Sequence, residues 1–347
     1  VVYLAVVTLV AFACGQGIAR SPSRRRQRLL LLAGLLSVLG TLFVFKYYDF
    51  LAGELESLLA GGDGPAEARV LPRLGGRTPV GLSFYAFSVV SYLVDVYARR
   101  IPAESRLGRF SLFVAFFPKV LAGPIERART FLPQMERVVR FDADRLVSGL
   151  QLIVWGLFKK VVIADNLAPF VDKGFGNPTY AAPIDLILAV SLFAFQIYCD
   201  FSGYTDIALG VSRLLGFDVM ENIRRPYLAR STSEFWAQRW HVSLASWFRD
   251  YMYIPLGGSR AGRLRQSANV MAVFVVSGLW QAGLGYGIGW TFLVWGGLNG
   301  LYQWGSLATA PMWRSLGRRQ PRLAASPALH LFRVVFTFHL VALAWIF

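Results

Sequence analysis

Charged side chains are scarce in this chain, and their scarcity excludes an ordinary water-soluble domain. Of the 347 residues, 16% are charged and 55% are hydrophobic. Soluble domains carry about 25% charged residues and about 45–50% apolar ones. The composition therefore predicts a protein that lies largely within a lipid bilayer.

Cysteine and histidine are rare as well. The two cysteines, Cys14 and Cys199, both lie in apolar runs, which excludes a disulfide framework and predicts two buried thiols. Of the three histidines, His330 and His339 are nine residues apart and so fall on opposite sides of one helix. They cannot bind one metal ion together. The sequence predicts no metal site and no tightly bound cofactor.

Acidic residues are outnumbered, with 20 Asp and Glu against 36 Lys and Arg. In a membrane protein this excess favours basic cytoplasmic loops, and no aromatic–basic motif indicates nucleic-acid binding. Residues 20–28 (RSPSRRRQR) and 98–109 (ARRIPAESRLGR) are basic, whereas the loop 53–79 between them contains four acids. This alternation predicts that 20–28 and 98–109 face the cytoplasm.

The apolar runs predict eight to ten membrane segments, at about 20 residues per span. They occupy residues 1–19, 29–48, 79–97, 147–170, 183–199, 205–216, 267–281, 288–308 and 328–347. The run at 110–124 is too short to cross and contains Pro118, which is typical of a re-entrant segment. No internal repeat and no symmetric pair of intramembrane acids is visible, so a transporter of inverted halves is disfavoured. Both ends fall within apolar runs, and we expect one domain over 1–347, truncated at both ends.

Several charged residues fall within these spans, among them Asp95, Asp165, Lys159 and Lys160. Asp95 and Asp165 need partners that the sequence does not identify. Lys159 and Lys160 are predicted to extend their amines to the cytoplasmic interface.

The segment 231–258 (STSEFWAQRWHVSLASWFRDYMYIPLGG) combines aromatic and ionisable residues. Ser231 or Ser233 is suited to cap a helix, and Glu234 completes a capping box with Ser231. On one continuous helix, Trp236, Trp240 and Trp247 form an aromatic face, and His241 lies between Ala237 and Ala245, each four residues away. Two interpretations remain open: an interfacial helix with a hydrogen-bonded histidine, or a site with space beside the imidazole. The nearby Arg249, Asp250 and Tyr251 favour the site, because ionisable groups at membrane depth are costly.

Six motifs occur in an order that resembles the membrane-bound O-acyltransferase family. They are PVGLSFYAFSVVSYLVDVY (79–97), FFPKVLAGPIERARTFLPQ (116–134), GLFKKVVIADNLA (156–168), QIYCDFSGYTDIALG (196–210), FWAQRWHVSLASWFRDYMYIPLGGSR (235–260) and SGLW…GWTFLVWGGLNG (277–300). The resemblance is to the bacterial branch that acetylates alginate and transfers D-alanine to teichoic acid.

The resemblance implies an all-α, polytopic membrane fold with re-entrant segments around a central tunnel, in the bacterial cytoplasmic membrane. It implies a cytoplasmic acyl thioester as donor, either acetyl-coenzyme A or an acyl carrier. The implied acceptor is a hydroxyl group of an extracytoplasmic polysaccharide or a similar molecule. A periplasmic or extracellular acyl-transfer protein is the implied partner.

The resemblance also places two histidines at the catalytic site. One corresponds to His241, and the second, which follows the GLW motif, is replaced here by Gln281. A glutamine amide forms hydrogen bonds but cannot take a proton from a hydroxyl group. Two further departures are the glycine-rich stretch AGLGYGI (282–288) and Asn299 in place of a second common histidine. Three interpretations follow, in this order: His241 acts as the base, the protein is an inactive scaffold, or the tunnel serves passage or binding.

The remaining candidate residues come from the same motifs and are predicted to contact the substrates. For Asp200 and Tyr204, which share a helix face, a tunnel-lining role and a structural hydrogen bond stay equally open. The full set is Asp200, Tyr204, Trp240, Ser243, Trp247, Arg249, Asp250, Tyr253, Trp280 and Asn299.

Overall fold

The computed structural model describes residues 2–59, 71–75, 79–176, 182–260, 262–282 and 289–347. Every regular element within these ranges is a helix, which confirms the all-α prediction. The chain divides into two compact units, one formed mainly by residues 1–121 and 125–138 and the other mainly by 139–282 and 289–347. The expectation of one domain over 1–347 stays a prediction.

The first unit contains three long helices and several short ones. They are α1 (Val2–Arg20), α2 (Arg24–Lys46), α3 (Tyr48–Leu59), α4 (Leu82–Tyr97), α5 (Leu107–Ala115), α6 (Phe117–Val120) and α7 (Ala128–Phe131), followed by a 3-10 turn at Leu132–Glu136. The segment predicted to be re-entrant is interrupted at Phe116, with Pro118 in the first turn of α6. Proline suits this position because the first turn does not use its amide hydrogen.

The second unit contains the remaining helices, several of which are interrupted by π-helical turns. They are α8 (Ala143–Leu157), α9 (Asp165–Gly176), α10 (Pro183–Leu214), α11 (Thr232–Glu234), α12 (Val242–Phe248), α13 (Gly262–Gln281), α14 (Thr291–Arg319), α15 (Pro321–Ala324) and α16 (Pro327–Ala344). A π-helix at Phe158–Ala164 joins α8 to α9, and two others flank α12 at Phe235–Arg239 and Arg249–Tyr253.

Five helical stretches within the described residues are long and apolar enough to cross a membrane. They are Val2–Arg20, Arg24–Lys46, Ala143–Gly176, Pro183–Leu214 and Pro327–Ala344. The prediction of eight to ten spans counted more. The run at 79–97 forms α4, which has 16 residues and is shorter than a full span, and α14 carries the polar residues Asn299 and Gln303. Two further runs differ for other reasons. The runs at 183–199 and 205–216 belong to one helix, and α13 carries polar residues such as Asn269, Ser277 and Gln281 that lower its hydropathy.

Glycines bring α8 and its π-helical extension into direct backbone contact with α10. A β-carbon added to Gly156 would lie 2.5 Å from the Gly203 carbonyl oxygen, and one added to Gly210 would lie 2.5 Å from that of Gly149. The glycines are seven residues apart on each helix and pair in antiparallel order. Because small residues let membrane helices approach closely, this face fixes the register of the two helices.

An ion pair that the sequence did not identify joins the π-helical extension of α8 to α10. The Lys159 amine lies 2.5 Å from an Asp206 carboxylate oxygen and donates to Ser202. Lys159 is buried, so the prediction that its amine extends to the interface was wrong: the local acid on α10 offers a better partner than solvent. Lys160 instead bridges Asp165 at 2.8 Å and Asp200 at 2.7 Å.

Helices α13 and α14 are also held together through glycines. A β-carbon on Gly278 would lie 2.2 Å from the Phe292 carbonyl oxygen, and one on Gly296 would lie 2.6 Å from that of Phe274. This close approach places the end of α13, with Gln281, beside the first half of α14. Both helices thereby contribute to one wall of the cavity described below.

Candidate active site

The segment 231–250 is not the continuous helix that the tryptophan spacing predicted. The predicted cap is present, since Ser231 accepts a hydrogen bond from the Glu234 amide at 3.1 Å. The helix then ends at Trp240, which is extended, and His241 adopts the left-handed conformation with φ of 46° before α12 begins at Val242. A non-glycine residue at positive φ is uncommon and points to a local constraint.

Asn222 supplies that constraint. Its backbone carbonyl accepts from the Val242 amide at 2.9 Å, and its side-chain Oδ1 accepts from the Ser243 amide at 3.1 Å and from the Ser243 hydroxyl at 2.8 Å. These bonds satisfy the first amides of α12, which a continuous helix would have paired within itself. The chain therefore turns sharply at His241 and presents its side chain away from the helix axis.

Asn222 also determines which nitrogen of His241 carries the proton. The backbone amide of Ser243 can only donate, so the Asn222 atom beside it must be the oxygen. The same oxygen lies 3.2 Å from His241 Nδ1, so we assign the proton of the neutral ring to that nitrogen, because an unprotonated Nδ1 would face a second acceptor. Nε2 is then the unprotonated nitrogen of the neutral ring and is the atom suited to accept a proton.

His241 and Gln281 lie on the wall of one cavity of about 320 Å³. Of the residues predicted to contact substrates, Trp240, Arg249 and Tyr253 also line it. The small residues predicted to flank the imidazole, Ala237 and Ala245, contribute to the wall, so the space beside the ring exists although the helix is broken. The rest of the wall is mostly apolar and includes Leu244, Val270, Val273 and Phe274.

Seven other predicted residues lie outside the wall of this cavity. Ser243 and Asn299 are fully buried behind it, and Trp247 packs on Phe248 and Tyr251. Asp200 is exposed and paired with Lys160, and Asp250 is paired with Arg249 at 2.9 Å. Tyr204 and Trp280 complete the seven. The glycine-rich stretch at 283–288 lies outside the described residues.

Asn299 has a structural role that accounts for both ends of its amide. Its Oδ1 accepts from the Trp236 indole at 3.0 Å, and its Nδ2 donates to the Trp295 carbonyl at 2.9 Å. Trp236 in turn packs edge-on against Trp295, with ring centroids 5.4 Å apart. Asn299 therefore orients the indole of Trp236, which lines the cavity, while Asn299 itself does not line it.

Two residues of the site escaped the sequence analysis. Asn222 lies in an irregular stretch, so no helical period marked it as a neighbour of His241. Gln303 lines the cavity from α14, and a signal for it was present: it follows Asn299 by four residues in an otherwise apolar run, which places two amides on one helix face.

The electrostatic setting keeps the His241 ring neutral. Burial lowers the pKa of His241 well below its ordinary value, because removal from water disfavours the charged form. An edge-on contact with Phe201, at a ring-centroid distance of 4.9 Å, covers one side of the imidazole. A neutral imidazole held by Nδ1 at the wall of a largely apolar cavity is an arrangement suited to general-base chemistry.

Residues 82–344 match the sequence model of MBOAT, the membrane-bound O-acyltransferase family. The match includes every helix that contributes to the cavity.

Individual relatives agree with this match. The probable alginate O-acetylase AlgI of Azotobacter vinelandii is 35% identical over 99% of this chain and 64% of its own length. The peptidoglycan O-acetyltransferase of Helicobacter pylori is 30% identical over 92% of this chain and 62% of its own length. The teichoic acid D-alanyltransferase of Bacillus subtilis is 29% identical over 50% of this chain. The chain thus spans less than two thirds of the length of these relatives.

Proposed function

Because the chain belongs to the membrane-bound O-acyltransferase family, we propose that it transfers an acyl group from a thioester to a hydroxyl group within the cavity bordered by His241 and Gln281. The observation that carries the proposal is the orientation of His241. Asn222 holds Nδ1, which leaves Nε2 as the proton acceptor, and the ring borders the cavity.

The proposed reaction uses His241 as its only base. His241 Nε2 takes the proton of the acceptor hydroxyl as its oxygen attacks the thioester carbonyl carbon, and the carbonyl oxygen becomes an oxyanion. The tetrahedral intermediate collapses to the ester, the carbon–sulfur bond breaks, and the leaving thiolate takes the proton from the imidazolium. The neutral ring is able to take the first proton, and the imidazolium so formed returns that proton to the thiolate.

Gln281 occupies the position of the second catalytic histidine in the resemblance, and its amide cannot take the hydroxyl proton. We assign it a hydrogen-bonding role toward the substrates at the end of α13. His241 then performs every proton transfer, whereas the resemblance places two histidines at the catalytic site.

The substrates are proposed by their chemistry. Relatives named for acetylation of alginate and of peptidoglycan support acetyl as the acyl group and an extracytoplasmic polysaccharide as the acceptor. The donor would be acetyl-coenzyme A or an acyl carrier on the cytoplasmic side. An extracytoplasmic acyl-transfer protein would be the partner.

The test follows labelled acetyl groups from thioester to polysaccharide in membranes that carry the unaltered protein or one of two variants. His241→Asn is the appropriate knockout, because asparagine tolerates the left-handed conformation that alanine does not. We expect it to abolish transfer. Gln281→His should raise transfer by about 10²- to 10⁴-fold if the new imidazole reaches the acceptor. Activity that persists unchanged in His241→Asn would refute His241 as the base.

A non-catalytic scaffold or acyl passage is the competing function, and Gln281 is the observation that favours it. On this alternative the cavity remains while the chemistry is lost. An unaltered protein, His241→Asn and Gln281→His that all fail to transfer acyl groups, though each is folded in the membrane, would favour the scaffold.

A further inference from the structure

Gln303 has an unusual hydrogen-bonding state. Its side chain is buried, with 7% of its surface exposed. Its Oε1 accepts from the Ser233 hydroxyl at 2.7 Å, whereas its Nε2 has no hydrogen-bond partner among the residues that the structure describes. A buried donor without a partner costs about 1–3 kcal/mol, so its retention calls for an explanation.

The position of Gln303 provides one, because it lines the same cavity as His241 and Gln281. Ser233 fixes one end of the amide, and a second bond, from the Thr232 hydroxyl to the Tyr302 carbonyl at 3.1 Å, ties α11 to α14 beside it. The free end is therefore held in place without a ligand. Such preorganised donors are the groups that stabilise a developing negative charge most effectively.

We propose that Gln303 Nε2 donates a hydrogen bond to the carbonyl oxygen of the acyl donor and stabilises the oxyanion formed in the transfer. This inference rests on the proposed function.

The choice of atom follows from charge. An N–H group pairs with an oxygen lone pair, and both the thioester carbonyl and the acceptor hydroxyl have one. During the reaction the hydroxyl oxygen gives its lone pair to the new ester bond, while the carbonyl oxygen becomes negative. A hydrogen-bond donor therefore lowers the activation free energy most when it contacts the carbonyl oxygen. Gln303 is better suited to this role than Gln281, because Ser233 already fixes its orientation.

Two thioethers of phosphopantetheine, the group common to coenzyme A and acyl carriers, test the inference by binding alone. The S-acetonyl compound keeps a carbonyl near the thioester position, whereas the S-propyl compound has none. We expect the unaltered protein to bind the acetonyl compound about 2- to 12-fold more tightly, the effect of one neutral hydrogen bond. Gln303→Met and Gln303→Leu should bind both compounds equally.

The matched control is Gln151→Met, the same replacement at an exposed position of α8, which should keep the preference. With acetyl transfer as a second measurement, Gln303→Met should lower kcat by about 10²- to 10³-fold, with a much smaller change in KM.

The outcomes separate the two proposals. If the unaltered protein binds neither compound, the thioester donor is wrong, and the proposed function and this inference fall together. If it binds both equally, or if Gln303→Met keeps the preference, the assignment of Gln303 alone is overturned. Loss of the preference in Gln151→Met as well would indicate a general effect on the cavity and would also overturn it.

Discussion

At the scale of single residues, the site depends on one asparagine that forms the turn and orients the base. Asn222 satisfies the first amides of α12 and, with the same Oδ1, accepts from His241 Nδ1. Its own Nδ2 is buried without a hydrogen-bond partner within the described residues. The backbone conformation of His241 and the protonation of its ring therefore have a common cause.

The lowered pKa of His241 predicts the pH dependence of transfer. A base is active only when unprotonated, so activity is present above its pKa and is lost as the pH falls through it. Because burial lowers this pKa, the acid limb of the rate profile should lie below pH ~6.5, the pKa of an exposed histidine. A profile of kcat/KM between pH 4 and 8 tests it, and an acid limb above 6.5 would contradict the lowered pKa of His241.

Asn222→Asp should shift the acid limb of the rate profile to higher pH, opposite to the effect of burial. The change replaces the unpartnered Nδ2 by an oxygen, so it removes no hydrogen bond seen in the structure, and it sets a carboxylate beside His241 Nδ1. An opposite charge at this distance favours the imidazolium, so the acid limb should move upward by about 1 to 3 pH units. Asn222→Leu is the control: it should lower kcat without such a shift. Identical pH profiles for Asn222→Asp and the unaltered protein would argue against the contact.

At the scale of helices, the second unit is held together by glycine pairs. On α8 and α10, Gly149 opposes Gly210 and Gly156 opposes Gly203, with carbonyl oxygens where a β-carbon would stand. Phe201, which covers the His241 ring, lies on α10 two residues before Gly203. The register of α8 against α10 therefore bears on the site as well as on stability.

Gly156→Ala and Gly203→Ala should each destabilise the protein. The added methyl would lie 2.5 Å or 2.7 Å from a backbone carbonyl oxygen, and overpacking of this kind costs about 1–3 kcal/mol. Gly305→Ala is the matched control, because no described atom outside its own helical turn lies within 4 Å of the added β-carbon; it should be neutral or stabilise by about 0.5–1 kcal/mol. Thermal unfolding in detergent compares the three, and equal midpoints would contradict the close packing.

The sequence predicted some of these elements and missed others for identifiable physical reasons. Helix type and the long apolar runs followed from hydropathy, because both depend on local composition. The break at His241 did not, because it depends on Asn222, nineteen residues away and in irregular structure. The sequence predicted two runs where the structure has the single helix α10, because Asp200 and Gly203 look like an interruption. In the structure Asp200 pairs with Lys160, and Gly203 packs on Gly156.

At the scale of the whole molecule, most arginines of the two basic segments have no acidic partner among the described residues. Arg100 pairs with Asp95 at 3.0 Å, and Arg109 with Glu136 at 3.0 Å. The other arginines of 20–28 and 98–109 form no ion pair with another described residue; they are Arg20, Arg24, Arg25, Arg26, Arg28, Arg99 and Arg106. Lys and Arg residues in short loops are those that direct membrane orientation.

Both segments should therefore face the cytoplasm. In a protein whose buried Cys14 and Cys199 are replaced by alanine, single cysteines at Arg25 and Ser105 would report on the two basic segments, and one at Leu74 on the acidic loop. A membrane-impermeant thiol reagent should label Leu74→Cys in intact cells, and Arg25→Cys and Ser105→Cys only after permeabilisation. The reason is the density of positive charge: residues 20–28 carry five arginines in nine residues, whereas 53–79 carries three in 27, and short loops rich in Lys and Arg stay in the cytoplasm. Labelling of Arg25→Cys or Ser105→Cys in intact cells would contradict this orientation.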